Sequence, residues 1–183
     1  MNRDPVARRY ARALFGAAAA RDLLDEIIAD LPALVGFLRR SPGARRLLVT
    51  SPFSTAERQE LVRRLFGGQV HPLILELLLL LIEKHRFELL EDVDAGFRAL
   101  YEARRGILRV AVTTAIPLPE DLAARLSAAL AARTGKHITL EPQVDPALLG
   151  GMRVRIGDRV IEHSVRRNLE TVRERLREVA VYD

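Results

Sequence analysis

The chain reads as an α+β protein, with an all-α six-helix bundle over residues 1–105 followed by a small α/β domain over residues 106–183. Three observations lead there. Up to Gly106 the apolar residues recur at helical spacings of three and four, and Pro and Gly fall at the breaks. Beyond it, short alternating runs surround one helical stripe. A hydrophobic fraction of 49% over 183 residues is ample for packed cores of this size.

Asp4 is placed to cap a first helix with Pro5 at its first position, and Val6, Tyr10, Ala13, Leu14 and Ala17 line one face. Leu23 to Leu38 makes a second helix, expected to bend or break near Pro32. Ser41-Pro42 opens a short third helix through Leu48. Ser54 and Glu57 have the spacing of a capping box for a fourth, which reaches Phe66 and stops at Gly67-Gly68. His71-Pro72 begins a fifth through Lys84, and a sixth runs from about Glu88 to Arg104 with Leu89, Leu90, Val93, Phe97 and Leu100 inward. After Gly106, Ile107 to Thr114 has the length and character of a strand. Pro119, Glu120 and Asp121 start a helix striped by Leu118, Leu122, Leu126 and Leu130, with Gly135 just past its end. Ile138, Leu140 and Val144 alternate with polar residues, and Pro142 confines that strand to an edge or a bulge.

Composition narrows the function. The net charge of +5 is spread evenly: residues 1–105 hold 17 basic and 14 acidic side chains, and residues 106–183 hold 12 and 10. No basic tail exists, and arginines alternate with carboxylates, the pattern of a solvated, ion-paired surface. Cysteine is absent, which removes disulfides and thiolate metal sites. His71, His85, His137 and His163 have no metal-ligand spacing, and the serines lack the setting of a nucleophile elbow. Gly150-Gly151 is not followed by the Lys and Ser or Thr of a phosphate loop. We expect no catalytic residue, cofactor or metal. The first dozen residues are charged and lack the apolar core of a secretory signal, while Leu73 to Ile82, the strongest apolar run, is about half of the roughly 20 residues that span a bilayer. Membrane association is expected only through a partner.

The densest pattern is Val144 to Leu169. Gly150-Gly151 supplies backbone freedom, Met152, Val154 and Ile156 alternate with Arg153 and Arg155, and Gly157-Asp158 forms a two-residue hairpin turn. Val160 and Ile161 start a return strand. Ser164 is a fitting N-cap for a last helix carrying Val165, Leu169, Val172, Leu176 and Val179. With Tyr10-Ala11-Arg12-Ala13-Leu14 near the start, Thr113-Thr114-Ala115 and Val144-Asp145-Pro146 in the same order, this chain resembles the δ subunit of F-type ATP synthase, the family called the oligomycin-sensitivity-conferring protein in mitochondria. Glu162 stands where many members of the family carry Asp.

The resemblance implies a non-catalytic stator that links the catalytic head to the peripheral stalk, so that proton-driven rotation of the shaft is coupled to ATP synthesis. The helical domain would bind the N-terminal segment of an α subunit, the second domain the b-subunit stalk, with one copy per complex at the cytoplasmic face of a bacterial plasma membrane. The fifth helix is apolar on every face, which fits either the central helix of a bundle or a groove shared with the first helix. The groove reading assigns Tyr10, Ala13, Leu14, Ala17, Leu77, Leu80, Leu81 and Lys84 to partner binding. Gly150, Gly151, Gly157, Asp158 and Ser164 are structural parts of the signature. Arg166, Arg173 and Arg177 on the last helix are either solvated or in contact with the stalk. The competing reading is a basic helical nucleic-acid-binding or regulatory scaffold, against which stand the even charge, few aromatics and lack of a binding motif.

Overall fold

Local chemistry at the helix ends sets the first part of the chain. The computed structural model describes residues 4–49, 53–157, 159–165 and 167. The chain is mixed in class and divides into two compact units, Met1–Arg104 and Arg105–Asp183. In the first unit, α1 (Pro5–Ala20) starts on Asp4, whose carboxylate accepts from the Val6 N–H at 2.7 Å. It ends on Asp22 in the left-handed region, φ 57°, and the Leu23 N–H reaches back to the Ala18 carbonyl. The α2 helix (Leu24–Arg40) runs through Pro32, so of the expected bend or break the break does not occur. One lost backbone bond is outweighed there by Leu31, Leu34, Val35 and Leu38, all buried.

The short α3 (Pro42–Val49) precedes α4 (Thr55–Phe66), which begins with the full capping box: Glu57 N–H donates to Ser54 Oγ at 3.3 Å, and the Ser54 N–H donates to the Glu57 carboxylate at 2.7 Å. His71 caps α5 (Pro72–Glu83) through Nδ1, which accepts from the Leu73 N–H at 3.2 Å. A 3-10 turn at Phe87–Leu89, placed where the sixth helix was expected to have begun, leads into α6 (Leu90–Arg105). All six helices contribute to one apolar core with Ile27, Leu31, Leu48, Ile74, Leu78, Leu81, Ile82, Val93 and Phe97 at its centre.

Two cross-helix features fix this unit. Gly96 of α6 lies so close to α1 that a Cβ built on it would stand 2.8 Å from the Ala11 Cβ. Arg58 of α4 is buried, 9% exposed, and its guanidinium donates to the Leu48 carbonyl at 3.4 Å and to His85 Nδ1 at 3.3 Å. It thereby joins α4 to the C-terminal ends of α3 and α5, where helix dipoles favour a cation.

The second unit is a four-stranded sheet of order β2-β1-β3-β4, comprising β1 (Ile107–Thr114), β2 (His137–Val144), β3 (Gly151–Ile156) and β4 (Arg159–Ser164). Strand β1 is parallel to β2 across the α7 crossover (Glu120–Thr134) and antiparallel to β3, and β3–β4 is a hairpin. Strand β2 lies on an edge, where Pro142 costs no ladder bond on its outer side. Val110, Val112 and Val154 form the buried centre, with Leu118, Leu126 and Leu130 packed on it only half-buried. Asp145 caps the 3-10 turn Pro146–Leu148 by accepting from the Ala147 N–H at 3.0 Å, and Leu148 is buried. The expected last helix, with Leu169, Arg173 and Arg177, lies outside the described residues, as do Arg166 and Asp158.

Candidate functional site

The apolar pattern of α1 turns a different edge inward from the one expected. Ala7, Ala11, Leu14 and Ala18 are buried, while Val6, Tyr10 and Ala17 are half-buried and Ala13 is exposed. Leu14 alone of the expected face is core. In an alanine-rich helix the hydrophobic contrast between faces is small, so the opposing surface decides, and here Gly96 receives Ala11. The consequence is a flanking row of Val6, Tyr10, Ala13 and Ala17 along α1, in which Tyr10 and Ala17 still pack in part against the core.

The α5 residues separate in the same way. Leu77 and Leu81 are 6% and 0% exposed and belong to the core, which corrects their assignment to a groove. Leu80 is 39% exposed, and Lys84 is exposed after the last turn of α5. Helices α1 and α5 pack on each other. At one place their surfaces meet through the segment that follows α5: Arg86 Nη1 donates to Tyr10 Oη at 3.3 Å. The Lys84 ammonium donates to Glu83 at 2.8 Å, and that hydrogen bond and charge hold its pKa above the ordinary value. Of the eight residues expected to form the groove, Ala13, Leu80 and Lys84 are exposed, Tyr10 and Ala17 are half-buried, and Leu14, Leu77 and Leu81 are core.

A second apolar surface was not anticipated. Ala33, Leu34, Phe37, Leu65, Phe66 and Val70 line a cleft of about 270 Å³ between α2 and α4. Phe37 is 46% and Leu65 40% exposed, and Phe37 meets Phe66 edge to face at a ring separation of 6.2 Å. Phe37 and Leu65 each stand beside a core residue in sequence, Leu38 and Phe66, so only the packing of α2 against α4 distinguishes them from core.

In the second unit the signature glycines have structural jobs. Gly151 and Gly157 hold positive φ of 76° and 58°, the latter in the β3–β4 turn. A Cβ on Gly150 would stand 3.1 Å from Val165 Cγ2, and the Val165 N–H donates to the Gly150 carbonyl at 3.1 Å, so the chain after β4 closes on this glycine. Glu162 accepts from Arg153 across the β3–β4 hairpin at 3.1 and 3.3 Å, which raises the Arg153 pKa further. Thr114, buried, donates through Oγ1 to the Ile116 carbonyl at 2.7 Å. Leu149, Val160, Ile161 and Val165 are exposed apolar side chains on this unit.

No group of side chains among the described residues has the composition of a metal site, and no described helix is long and apolar enough to cross a membrane. Comparison with known proteins gives the chain a context. Residues 6–176 match the family described as ATP synthase delta (OSCP) subunit. The chain is 35% identical over 176 residues to ATP synthase subunit delta of Symbiobacterium thermophilum, spanning 96% of this chain and 95% of that one. It is 37% identical over 177 residues to the subunit of the same name from Moorella thermoacetica, spanning 97% and 99%. Among solved structures it resembles a chain in the cryo-EM structure of the Toxoplasma gondii mitochondrial ATP synthase hexamer, with TM-score 0.69 and 27% identity over 94% of this chain and 98% of that one. With a match that runs through both units and nearly the full length of its relatives, the chain belongs to the ATP synthase delta (OSCP) subunit family.

Proposed function

We propose that this chain is the non-catalytic stator subunit that ties the catalytic head of an F-type ATP synthase to its peripheral stalk. A head that turned with the shaft could store no torque, so the tie must hold both ends while making and breaking no covalent bond. The observation that carries the reading is the match over residues 6–176, which includes both units. The helical unit, its six helices acting as one bundle, grips the N-terminal segment of an α subunit on the α1–α5 face. Val6, Tyr10, Ala13 and Ala17 form one wall and Leu80 the other, with Lys84 at the margin. An amphipathic helix laid on such a face is held by apolar burial. The second unit engages the b subunit, through Arg166, Arg173 and Arg177 and the exposed apolar residues near β4. One copy serves each complex, peripheral to the cytoplasmic face of a bacterial plasma membrane.

The test is a calorimetric titration of the full chain with the N-terminal α segment of the same genome, about 20 residues long. One-to-one binding with a negative heat-capacity change that persists at high salt supports the tie. A folded chain that does not bind, or that binds nucleic acid with a steep loss of affinity on adding salt, overturns it.

A further inference from the structure

One end of the four-stranded sheet gathers exposed apolar side chains. The register sets Thr114 beside Val144 and Met152, and Gly151 beside Ser164, so β1, β2 and β4 finish where β3 begins. At that end stand Ile116, Val144, Leu149 and Val165, which are 69%, 52%, 69% and 45% exposed. The Thr114 hydroxyl ties Ile116 to β1, and Val165 closes on Gly150, the residue after Leu149. Val160 and Ile161 are exposed too, but as successive residues of β4 they point to opposite faces of the sheet and make no patch of this kind.

Within the patch, Leu149 breaks a local rule. Three non-glycine residues hold a positive φ among the described residues: Asp22, His85 and Leu149, the last at 61°. Aspartate and histidine are enriched in that region, whereas a leucine there is strained. The turn has a structural purpose, since it follows the 3-10 turn that buries Leu148 and it brings Gly150 against Val165. That purpose needs the backbone angle and not the side chain, and Gly or Asn would hold the angle with less strain. A leucine that costs stability and leaves its side chain in water is accounted for by a surface that covers it.

We propose that Leu149, with Ile116, Val144 and Val165, is the seat for a helix of the peripheral stalk that presents an uncharged apolar stripe. This rests on the stalk reading above and names the place and chemistry of that contact. Strands about 4.8 Å apart make this end about 15 Å wide, little more than the 10–12 Å or so of one helix with its side chains. Four aliphatic side chains, each already partly covered, fall well short of the roughly 800 Å² per partner that a stable pair of copies buries. Charge points the same way. Arg153 and Glu162, two positions in from this end, satisfy each other at 3.1 and 3.3 Å, and Asp145 is engaged as a cap. The patch is also continuous with Val165-Arg166, where the chain enters the residues already assigned to the stalk.

The experiment titrates the full chain with the purified b subunit of the same genome, comparing wild type with Leu149→Asn and with Val160→Thr as a control off the patch. Asn holds a positive φ at lower strain, so Leu149→Asn melts no lower than wild type and binds the b subunit at least about tenfold more weakly, the loss of one buried leucine. Val160→Thr keeps wild-type affinity, and added salt leaves wild-type binding unchanged. Val144→Thr tests the seat without touching the turn and also weakens binding. Equal affinity of wild type and Leu149→Asn overturns the proposal, as does a steep loss of wild-type affinity with salt or an equal loss in Val160→Thr. Dimerisation of the wild type that Leu149→Asn abolishes, with stalk affinity unchanged, makes the occupant a second copy and also overturns it. Should Leu149→Asn melt well below wild type, Val144→Thr decides, and its unchanged affinity overturns the seat. The two readings fail separately: binding that ignores both Leu149 and Val144 sinks the seat alone, whereas a folded wild type that does not bind the b subunit sinks the stalk reading and the seat with it.

Discussion

The contact between Ala11 and Gly96 allows a stability prediction with an internal control. In Gly96→Ala the new methyl would lie 2.8 Å from the Ala11 methyl, against about 3.5–4.0 Å for carbon atoms in favourable contact, so α1 must retreat from α6 by about 1 Å. Overpacking of this kind costs about 1–3 kcal/mol, and the better helix propensity of Ala returns about 0.8–1.0. The single variant is thus expected to lose about 0–2 kcal/mol. Ala11→Gly alone loses about 1 kcal/mol of propensity and leaves a gap in the core. The double variant moves the methyl from one helix to the other: the clash disappears, the propensity terms cancel, and stability returns close to wild type. A coupling energy of about 1–3 kcal/mol between the two sites is expected. The assay is urea unfolding followed by tyrosine fluorescence. Tyr10 and Tyr101 lie in the helical unit and no tryptophan competes, so the signal follows chiefly the unit in question, which matters in a chain of two units. Additivity of the single variants within about 0.5 kcal/mol would refute the close approach of α1 to α6.

Three further outcomes follow from the same packing. Leu77→Asp puts a charge into the core and should cost at least about 2–5 kcal/mol with loss of the fold, whereas Leu80→Asp should keep its melting temperature and bind the α segment at least about tenfold more weakly, which circular dichroism and calorimetry separate. Hydrogen bonds from Ser54 hold the Glu57 carboxyl below its ordinary 4.5; a depressed folded pKa gives stability that is present above 4.5 and lost as pH falls through the folded value, so thermal melts of Ser54→Ala should show a smaller acid-induced loss than wild type. Burial lifts Asp94 above its ordinary 3.8, incompletely offset by Arg98 and Arg39, and its Oδ1 has no hydrogen-bond partner; the folded state then binds the extra proton, stability falls as pH rises from 3.8 through the folded value, and Asp94→Asn should be more stable at neutral pH with that slope removed.

The features that the sequence made legible are those decided within a few residues. Asp4-Pro5, Ser54 with Glu57 and Gly135 mark helix ends because each satisfies or frees backbone groups locally, and all are found doing so. Pro142 announced an edge strand for the same reason. The rotation of α1 was not legible, since Ala7 and Ala11 differ from Ala13 and Ala17 only in what faces them. Leucines at nearly every position of α5 likewise hid which of Leu77, Leu80 and Leu81 stays outside. The α2–α4 cleft depends on Phe37 meeting Phe66 across 29 positions of sequence, beyond the reach of any periodicity. Leu80 stays partly outside because an all-round apolar helix must leave something uncovered in a unit this small.

The same alanines that obscured the pattern explain how the proposed docking row, about three turns long, would be a firm grip. A tie under load needs a docking surface that does not yield before its partner detaches. Large residues at Ala7, Ala11 and Ala18 would hold α1 away from the core on flexible side chains; small ones, with glycine opposite at Gly96, bring its backbone against α6. Phe15 then closes the flank on Phe97, edge to face at 5.8 Å. With α1 so seated, Tyr10 is positioned by backbone packing on one side and by Arg86 on the other, and little conformational freedom remains to be lost when a partner helix arrives. Affinity can then come from a short segment, and a substitution at Gly96, distant from any partner, should weaken docking by loosening the helix that presents it.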